Sequence, residues 1–120
     1  MRKVKTTNAD RMELIRFLRK QSRENNVGVW RDIAGRLGKP RRKHVTVNLS
    51  RLNRHTTRNE VVAVPGKVLS SGEIDHALTI AAFAFSEKAK EKVAAAKGKC
   101  WSFFELIKKN PKGSNVKIIG

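Results

Sequence analysis

Apolar residues recur at helical spacing twice within the first forty positions of the chain. The first pattern begins at Asn8, places Leu14, Phe17 and Leu18 on one stripe, and is interrupted by Asn25-Asn26-Val27-Gly28. The second pattern predicts a shorter helix over residues 29–37, which Gly38 would end in a left-handed conformation and Pro40 would prevent from continuing. Its apolar stripe consists of Trp30, Ile33, Ala34 and Leu37.

Beyond Pro40 the pattern changes from helical spacing to alternation. Val45, Val47 and Leu49 alternate with polar neighbours, which predicts a half-buried extended segment. We predict a further strand over residues 61–64, closed by a turn at Pro65-Gly66, with residues 67–69 as its continuation beyond the turn. Residues 78–85 are apolar on both faces and therefore predict a central strand.

The last third of the chain alternates between helix and strand signals. Ser86 can cap a helix that ends at Gly98, and residues 99–101 predict a short strand. Ser102 and Glu105 have the spacing of a capping box, so a short helix should start there and end at Asn110-Pro111. Residues 116–119 predict the last strand. Strands that alternate with helices in this way indicate an α/β fold.

The charge of the chain is large and unevenly distributed. Its 120 residues include 27 Lys+Arg and 10 Asp+Glu, a formal net charge of +17, which indicates a polyanionic partner and disfavours an average cytosolic enzyme. Residues 1–58 contain every arginine and carry 17 − 4 = +13, whereas residues 59–120 carry 10 − 6 = +4. Because arginine can bind phosphate through two parallel hydrogen bonds, the first half is predicted to hold the polyanion.

The strongest local signal is the basic stretch 36–58. Between Ile33 and Asn59 the chain has eight Lys+Arg and no acidic residue. Clustered cations gain affinity for nucleic acid by releasing condensed counterions. We expect Arg41-Arg42-Lys43 to lie along a nucleic-acid backbone as a loop, after a basic arm at residues 1–7. The side chains of Asn48, Ser50 and Asn53 could add hydrogen bonds.

Signals for other chemistry are weak. Cys100 is the only cysteine, so it cannot form an internal disulfide, and the three histidines have no metal-ligand spacing. Glu73, Asp75 and His76 lie close together in a loop without a nucleophile motif. No apolar stretch is long enough to span a bilayer, and no secretory signal is visible. We therefore expect an intracellular, non-enzymatic protein without cofactor, metal, membrane or small-molecule substrate.

Two alternatives to an RNA-binding structural protein stay open at this point. Residues 9–24 and 29–37 could form the helix-turn-helix of a DNA-binding or chromatin protein, although the second helix has few side chains left to read bases. The other alternative is an RNA-processing enzyme, but the sequence shows no convergent set of acid, base or metal-binding residues for such a reaction.

Several stretches resemble a ribosomal protein family. Residues 62–98, VAVPGKVLSSGEIDHALTIAAFAFSEKAKEKVAAAKG, closely resemble the signature shared by archaeal and eukaryotic large-subunit protein eighteen-e and bacterial large-subunit protein fifteen. The runs TNADRMELIRFLRK, VWRDIAGRL, KPRR, VNLSRLNR and NPKGSNVKIIG are similar to the eighteen-e branch. The resemblance covers essentially the whole chain, and it implies an archaeal source because bacterial and eukaryotic extensions are missing.

This resemblance implies irregular β-β-α turns wound as a small superhelix, behind a helical and extended basic segment. Together with the uneven charge, it divides the chain into an rRNA-binding segment, residues 1–58, and an α/β core, residues 59–120, which together form one domain. It also implies a cytoplasmic, structural component of the large ribosomal subunit, with rRNA and neighbouring ribosomal proteins as partners. With the basic stretch, it gives these candidate RNA-binding residues: Arg36, Lys39, Arg41, Arg42, Lys43, Asn48, Arg51, Asn53, Arg54, Arg58 and Lys67.

Overall fold

The computed structural model describes residues 8–40 and 45–120 of the chain. The basic arm and the run from Arg41 to His44 lie outside these described residues. The helices are α1 (Asn8–Asn25), α2 (Gly28–Leu37), α3 (Leu49–His55), α4 (Glu87–Ala95) and α5 (Phe103–Lys109). The strands are β1 (Val45–Asn48), β2 (Val61–Leu69), β3 (Thr79–Phe85), β4 (Lys99–Trp101) and β5 (Val116–Ile118).

The strands form one parallel sheet built around β2 and β3. Its order is β1-β2-β3-β4, and β5 also pairs with β2. Since β3 occupies one edge of β2, β1 and β5 share the other edge: β5 pairs with residues 61–63 and β1 with residues 66–69. The α/β prediction and the central position of residues 78–85 are both confirmed, because β3 lies between β2 and β4.

Helices cover both faces of the sheet. Because side chains alternate across each strand, each strand contributes residues to both faces. Val62, Val64 and Ile80 point to one face, where they pack in a hydrophobic cluster with Leu49 and Leu52 of α3 and with residues of α4. The neighbouring Ala63 and Ala81 point to the other face and pack against α1, α2 and α5. Each cluster therefore contains residues from both sides of position 58.

The predicted serine caps are confirmed at the starts of α4 and α5. The Ser86 hydroxyl accepts a hydrogen bond from the backbone N–H of Ala89 and starts α4. Ser102 and Glu105 form a reciprocal capping box at the start of α5. These signals are reliable here because each depends on atoms only three residues apart.

The predicted turn at Pro65-Gly66 is wrong, since both residues lie inside the continuous strand β2. The register with β3 shifts between Val64 and Lys67, and this bulge accommodates the proline, which has no N–H to donate. Gly66 is needed for close packing, because a Cβ there would lie 2.1 Å from the carbonyl oxygen of Val45 on β1.

Gly38 and Gly98 follow α2 and α4 as predicted, but neither supplies the left-handed conformation expected of a helix-ending glycine. Gly38 has φ −81°, so α2 ends without a left-handed residue. After α4 the left-handed residue is Lys97, with φ 66°. Gly98 instead allows the chain to pass the carbonyl oxygen of Leu78, from which a Cβ at Gly98 would be 2.5 Å away.

The extended segment predicted to reach Leu49 ends one residue earlier, at Asn48, because Leu49 is the first residue of α3. The sequence pattern did not predict this helix.

Candidate nucleic-acid interface

The helix α3 presents arginines from the middle of the basic stretch. It has only seven residues, too few for a stable isolated helix, so it depends on packing. Leu49 and Leu52 are fully buried against the sheet, which turns Arg51 and Arg54 to solvent. Arg58 follows the helix and is also exposed. We call Arg51, Arg54 and Arg58 the α3 surface; within the described part of the chain their side chains make no hydrogen bond or ion pair.

The loop that follows β2 fixes the first turn of α3. The backbone N–H of Ser50 donates to the carbonyl oxygen of Ser71 at 3.0 Å. The ammonium group of Lys92, on α4, holds that loop by donating to the carbonyl oxygens of Ser70 at 3.0 Å and Gly72 at 2.8 Å. It also pairs with the carboxylate of Glu73 at 3.0 Å. The loop is thus tied to both helices on this face of the sheet.

The end of α3 is fixed by a second set of hydrogen bonds. The side-chain oxygen of Asn53 accepts from the backbone N–H of Asp75 at 3.1 Å. The ammonium group of Lys117 donates to the carbonyl oxygen of His55 at 2.8 Å, where a cation also complements the helix dipole. With both ends held, α3 is a preorganised support for the arginines of the α3 surface.

Thr56, His76 and Asp75 form a chain of hydrogen bonds behind α3. His76 Nε2 lies 2.7 Å from Thr56 Oγ1, and His76 Nδ1 lies 2.8 Å from Asp75 Oδ1. The hydrogen bond with His76, and then that with Asn53, lowers the pKa of Asp75. The Thr56 hydroxyl also donates to the carbonyl oxygen of Leu52 at 2.7 Å, and Thr56 itself is 7% exposed. This buried hydroxyl is bonded on both sides, so the geometry supports a structural rather than a nucleophilic role.

The remaining candidates are in different environments. Arg36 is paired with Asp32 at 3.1 Å and donates to the carbonyl oxygen of Gly120 at 2.7 Å, so it holds the C-terminal residue against α2. Lys39 is exposed near the end of α2, and Lys67 is exposed on β2 opposite Thr46. Asn48 is half-buried at the N-cap of α3 and makes no side-chain capping bond. Arg41, Arg42 and Lys43 lie outside the described residues.

Arginines of α1 were not among the residues predicted to bind RNA. Arg16, Arg19 and Arg23 are exposed and lie at spacings of three and four residues, which places them on one side of the helix. That spacing is visible in the sequence and could have identified them. Arg11 differs, because it donates to the carbonyl oxygen of Leu37 at 3.1 Å and lies 4.4 Å above the centre of the Phe83 ring. Burial lowers the pKa of Arg11.

The second helix of the proposed helix-turn-helix is committed to the protein core. Trp30, Ile33, Ala34 and Leu37 are each fully buried, and Trp30 Nε1 donates to the carbonyl oxygen of Pro111 at 2.8 Å. The outward positions of α2 are occupied by Arg31, Asp32 and Gly35, with Asp32 paired to Arg36. This helix therefore presents few groups that could read base edges.

Residues 8–40 and 45–120 offer neither a metal site nor a membrane-spanning helix. No group of three or more His, Cys, Asp or Glu side chains is placed to share a metal ion there. In the same range, none of the helices combines the length and apolar character needed to cross a bilayer. Burial raises the pKa of the Cys100 thiol to about 11.

The chain is similar to known ribosomal proteins over nearly its whole length. A family model described as ribosomal protein 60S L18 and 50S L18e matches residues 2–120. A large ribosomal subunit protein eL18 from Methanoregula boonei is 48% identical over 118 residues, 98% of each chain. Proteins of the same name from Methanothermobacter thermautotrophicus and Methanococcus maripaludis are 42% and 44% identical, and each alignment covers 99% of this chain and at least 98% of the relative. All three organisms are archaea, as the resemblance implies.

Proposed function

This chain belongs to the family of 60S L18 and 50S L18e ribosomal proteins, and from that premise we propose that it binds and stabilises large-subunit rRNA through the α3 surface. It is a structural constituent of the large ribosomal subunit and is located in the cytoplasm as part of that subunit. Its partners are large-subunit rRNA and neighbouring ribosomal proteins, and it has no catalytic role.

The observation that carries this proposal is the state of the three arginines of the α3 surface. Exposed arginines in a protein commonly pair with neighbouring carboxylates, yet these three have no partner in the described part of the chain. Their guanidinium groups can each form two parallel hydrogen bonds to phosphate oxygens. Because α3 is held at both ends and docked through Leu49 and Leu52, little ordering of the helix is needed when RNA binds.

The residues before α3 extend the proposed contact. In the sequence, Arg41, Arg42 and Lys43 come shortly before β1, and α3 follows β1 at once. We include them as proposed phosphate contacts, together with Lys39, Asn48 and Lys67. Arg36 and Asn53 stay predicted contacts, and each also has an intramolecular partner.

The domain organisation follows from the same proposal. Residues 1–58 supply the RNA-binding groups and residues 59–120 supply most of the sheet, and the two act as one unit because both hydrophobic clusters contain residues of each part.

The proposal is tested by removing the charges of the α3 surface. In a variant with Arg51→Gln, Arg54→Gln and Arg58→Gln, affinity for an archaeal large-subunit rRNA transcript should fall. The log–log salt slope should decrease by about 2–3, since each lost phosphate contact is worth about 0.7–0.9. Filter binding at a series of salt concentrations measures both quantities.

The matched control removes the same charge from elsewhere on the molecule. Lys88, Lys108 and Lys112 are exposed, and their side chains make no hydrogen bond or ion pair with the described residues. Their triple glutamine variant removes three positive charges, so it has the same net charge as the α3 surface variant. This control should keep most of the wild-type slope. Equal losses in the two variants would show that total charge, not the α3 surface, determines binding.

A further inference from the structure

A second group of unpaired arginines surrounds the junction of α1 and α2. An open cleft of about 440 Å³ lies there and is lined by Arg19 and Arg23 from α1, Arg31 from α2 and polar groups of the connecting turn. We call it the hairpin cleft. None of its three arginines was predicted to bind RNA, and it lies outside the α3 surface.

The positive charge of the hairpin cleft is not neutralised locally. The side chains of Arg19, Arg23 and Arg31 are exposed and make no hydrogen bond or ion pair with the described residues. The nearest acids in sequence are engaged with other cations: Glu24 lies 4.0 Å from Lys20, and Asp32 pairs with Arg36 at 3.1 Å. Three guanidinium groups are therefore available to one anionic ligand.

The walls of the hairpin cleft are rigid. The Ser22 hydroxyl donates to the carbonyl oxygen of Val27 at 2.6 Å, and the backbone N–H of Val27 donates to the carbonyl oxygen of Ser22 at 3.0 Å. Beneath this turn, Leu18 and Trp30 are fully buried against the sheet. The arginines thus project from two helices whose relative position is fixed, so binding costs little backbone ordering.

The hairpin cleft and the α3 surface lie on opposite sides of the sheet. Leu18 and Trp30 pack with Ala63 and Ala81, whereas α3 packs with Val62 and Ile80, and adjacent strand residues face opposite ways. The body of the protein separates the two surfaces, so each must contact a different stretch of any bound polyanion.

We propose that the hairpin cleft binds the phosphodiester backbone of a second rRNA segment, so that the protein bridges two RNA segments held on opposite faces of its sheet. This inference rests on the proposed function of the α3 surface. We favour RNA over an acidic protein segment as the ligand, because protein interfaces usually include an apolar core that a partner can pack against. In the lining of the hairpin cleft, Val27 has the sole aliphatic side chain, whereas three arginines supply positive charge. Arginine forks match the spacing of phosphate oxygens.

Tethered hydroxyl-radical cleavage tests the location of the RNA directly. In a Cys100→Ala background, an iron chelate is attached at Glu24→Cys beside the hairpin cleft, or at His55→Cys on α3. The probe is an archaeal large-subunit rRNA transcript. We expect each tether to cut the RNA, at two separate sets of nucleotides.

The outcomes separate this inference from the proposed function. Cuts from position 55 without cuts from position 24 would overturn the hairpin contact and leave the α3 surface intact. The same nucleotides cut from both positions would overturn bridging. If neither position produced cuts, both proposals would be contradicted.

A charge-removal variant gives an independent readout. In the variant Arg19→Gln, Arg23→Gln and Arg31→Gln, the log–log salt slope of rRNA binding should fall by about 2–3, at about 0.7–0.9 for each contact. Combining it with the α3 surface variant should give a nearly additive decrease, because the two sites share no partners. The Lys88, Lys108 and Lys112 variant is the control for net charge.

An unchanged slope in the hairpin variant would overturn the inference, and it is the result expected if an acidic protein segment occupies the cleft instead. Circular dichroism confirms that the variant folds, since three exposed side chains should have little effect on stability.

Discussion

Replacing Leu52 with alanine should loosen the docking of α3, because Leu49 and Leu52 are the side chains that this short helix buries against the sheet. Leu52 and Leu49 are 0% exposed and pack with Val62 and Ile80. The helix has seven residues and cannot persist in water without that contact. The variant therefore tests whether α3 owes its position to core packing.

The expected loss of stability follows from the burial of Leu52. Removing a fully buried leucine side chain costs about 2.7–5 kcal/mol, made up of lost transfer free energy and the cavity left behind. A domain has about 5–15 kcal/mol of total stability, so this is a large fraction of it. For a chain of this length each kcal/mol lowers the melting temperature by about 3–6 °C. The Leu52→Ala protein should thus melt at least about 8 °C below the wild type.

Urea unfolding followed by far-ultraviolet circular dichroism measures this loss, and Arg54→Ala on the same helix is the matched control. Arg54 is exposed and without a partner in the described part of the chain, so its replacement should change the free energy of unfolding by about 0.5 kcal/mol or less. Its effect should appear in RNA binding instead. A Leu52→Ala protein that unfolds within about 1 kcal/mol of the wild type would refute the argument that burial of Leu52 positions α3.

Three further predictions concern single residues. Gly66→Ala should separate β1 from β2, because the new Cβ would lie 2.1 Å from the Val45 carbonyl oxygen. Amide hydrogen exchange should then be faster in β1, and unchanged protection of β1 would contradict this prediction. Burial raises the pKa of the Cys100 thiol from 9.0 to about 11, so less of the reactive thiolate is present at pH 8. Alkylation by iodoacetamide at that pH should be about 100-fold slower than for a thiol with a pKa of 9.0, and alkylation at the ordinary rate would refute this. The pKa of Asp75 is lowered by its hydrogen bond with His76, so its stabilising effect is present above its unfolded pKa and is lost as the pH falls through the folded value. Asp75→Asn should therefore flatten the acid side of the stability profile, and an identical profile would show that the carboxylate does not contribute.

Features that depend on neighbouring residues in sequence could be predicted. The long stripe of α1, the capping serine Ser86 and the box of Ser102 and Glu105 were all correctly interpreted. Each depends on contacts within about one helical turn, which the sequence displays directly.

Features decided by distant contacts could not be predicted. Pro65-Gly66 reads as a turn, yet pairing with β1 and β3 on either side keeps the chain extended through a bulge. Two apolar residues three positions apart, Leu49 and Leu52, were too few to indicate a helix. The same limit applies to the interface. The sequence shows where the arginines are concentrated, but the fold determines on which face of the sheet each arginine lies. The fold also determines which cations already have a partner, as Arg36 has in Asp32.

We propose that the arginines of the α3 surface hold the protein in the large ribosomal subunit. Sedimentation of tagged wild-type protein and of the Arg51, Arg54 and Arg58 glutamine variant with archaeal large subunits, on sucrose gradients at moderate and high salt, tests it most directly. We expect the wild-type protein to migrate with the large subunit at moderate salt, and the variant to stay near the top of the gradient unless the salt concentration is lowered. Wild-type protein that remains at the top at moderate salt, or a variant that sediments and dissociates at the same salt as the wild type, would contradict the account.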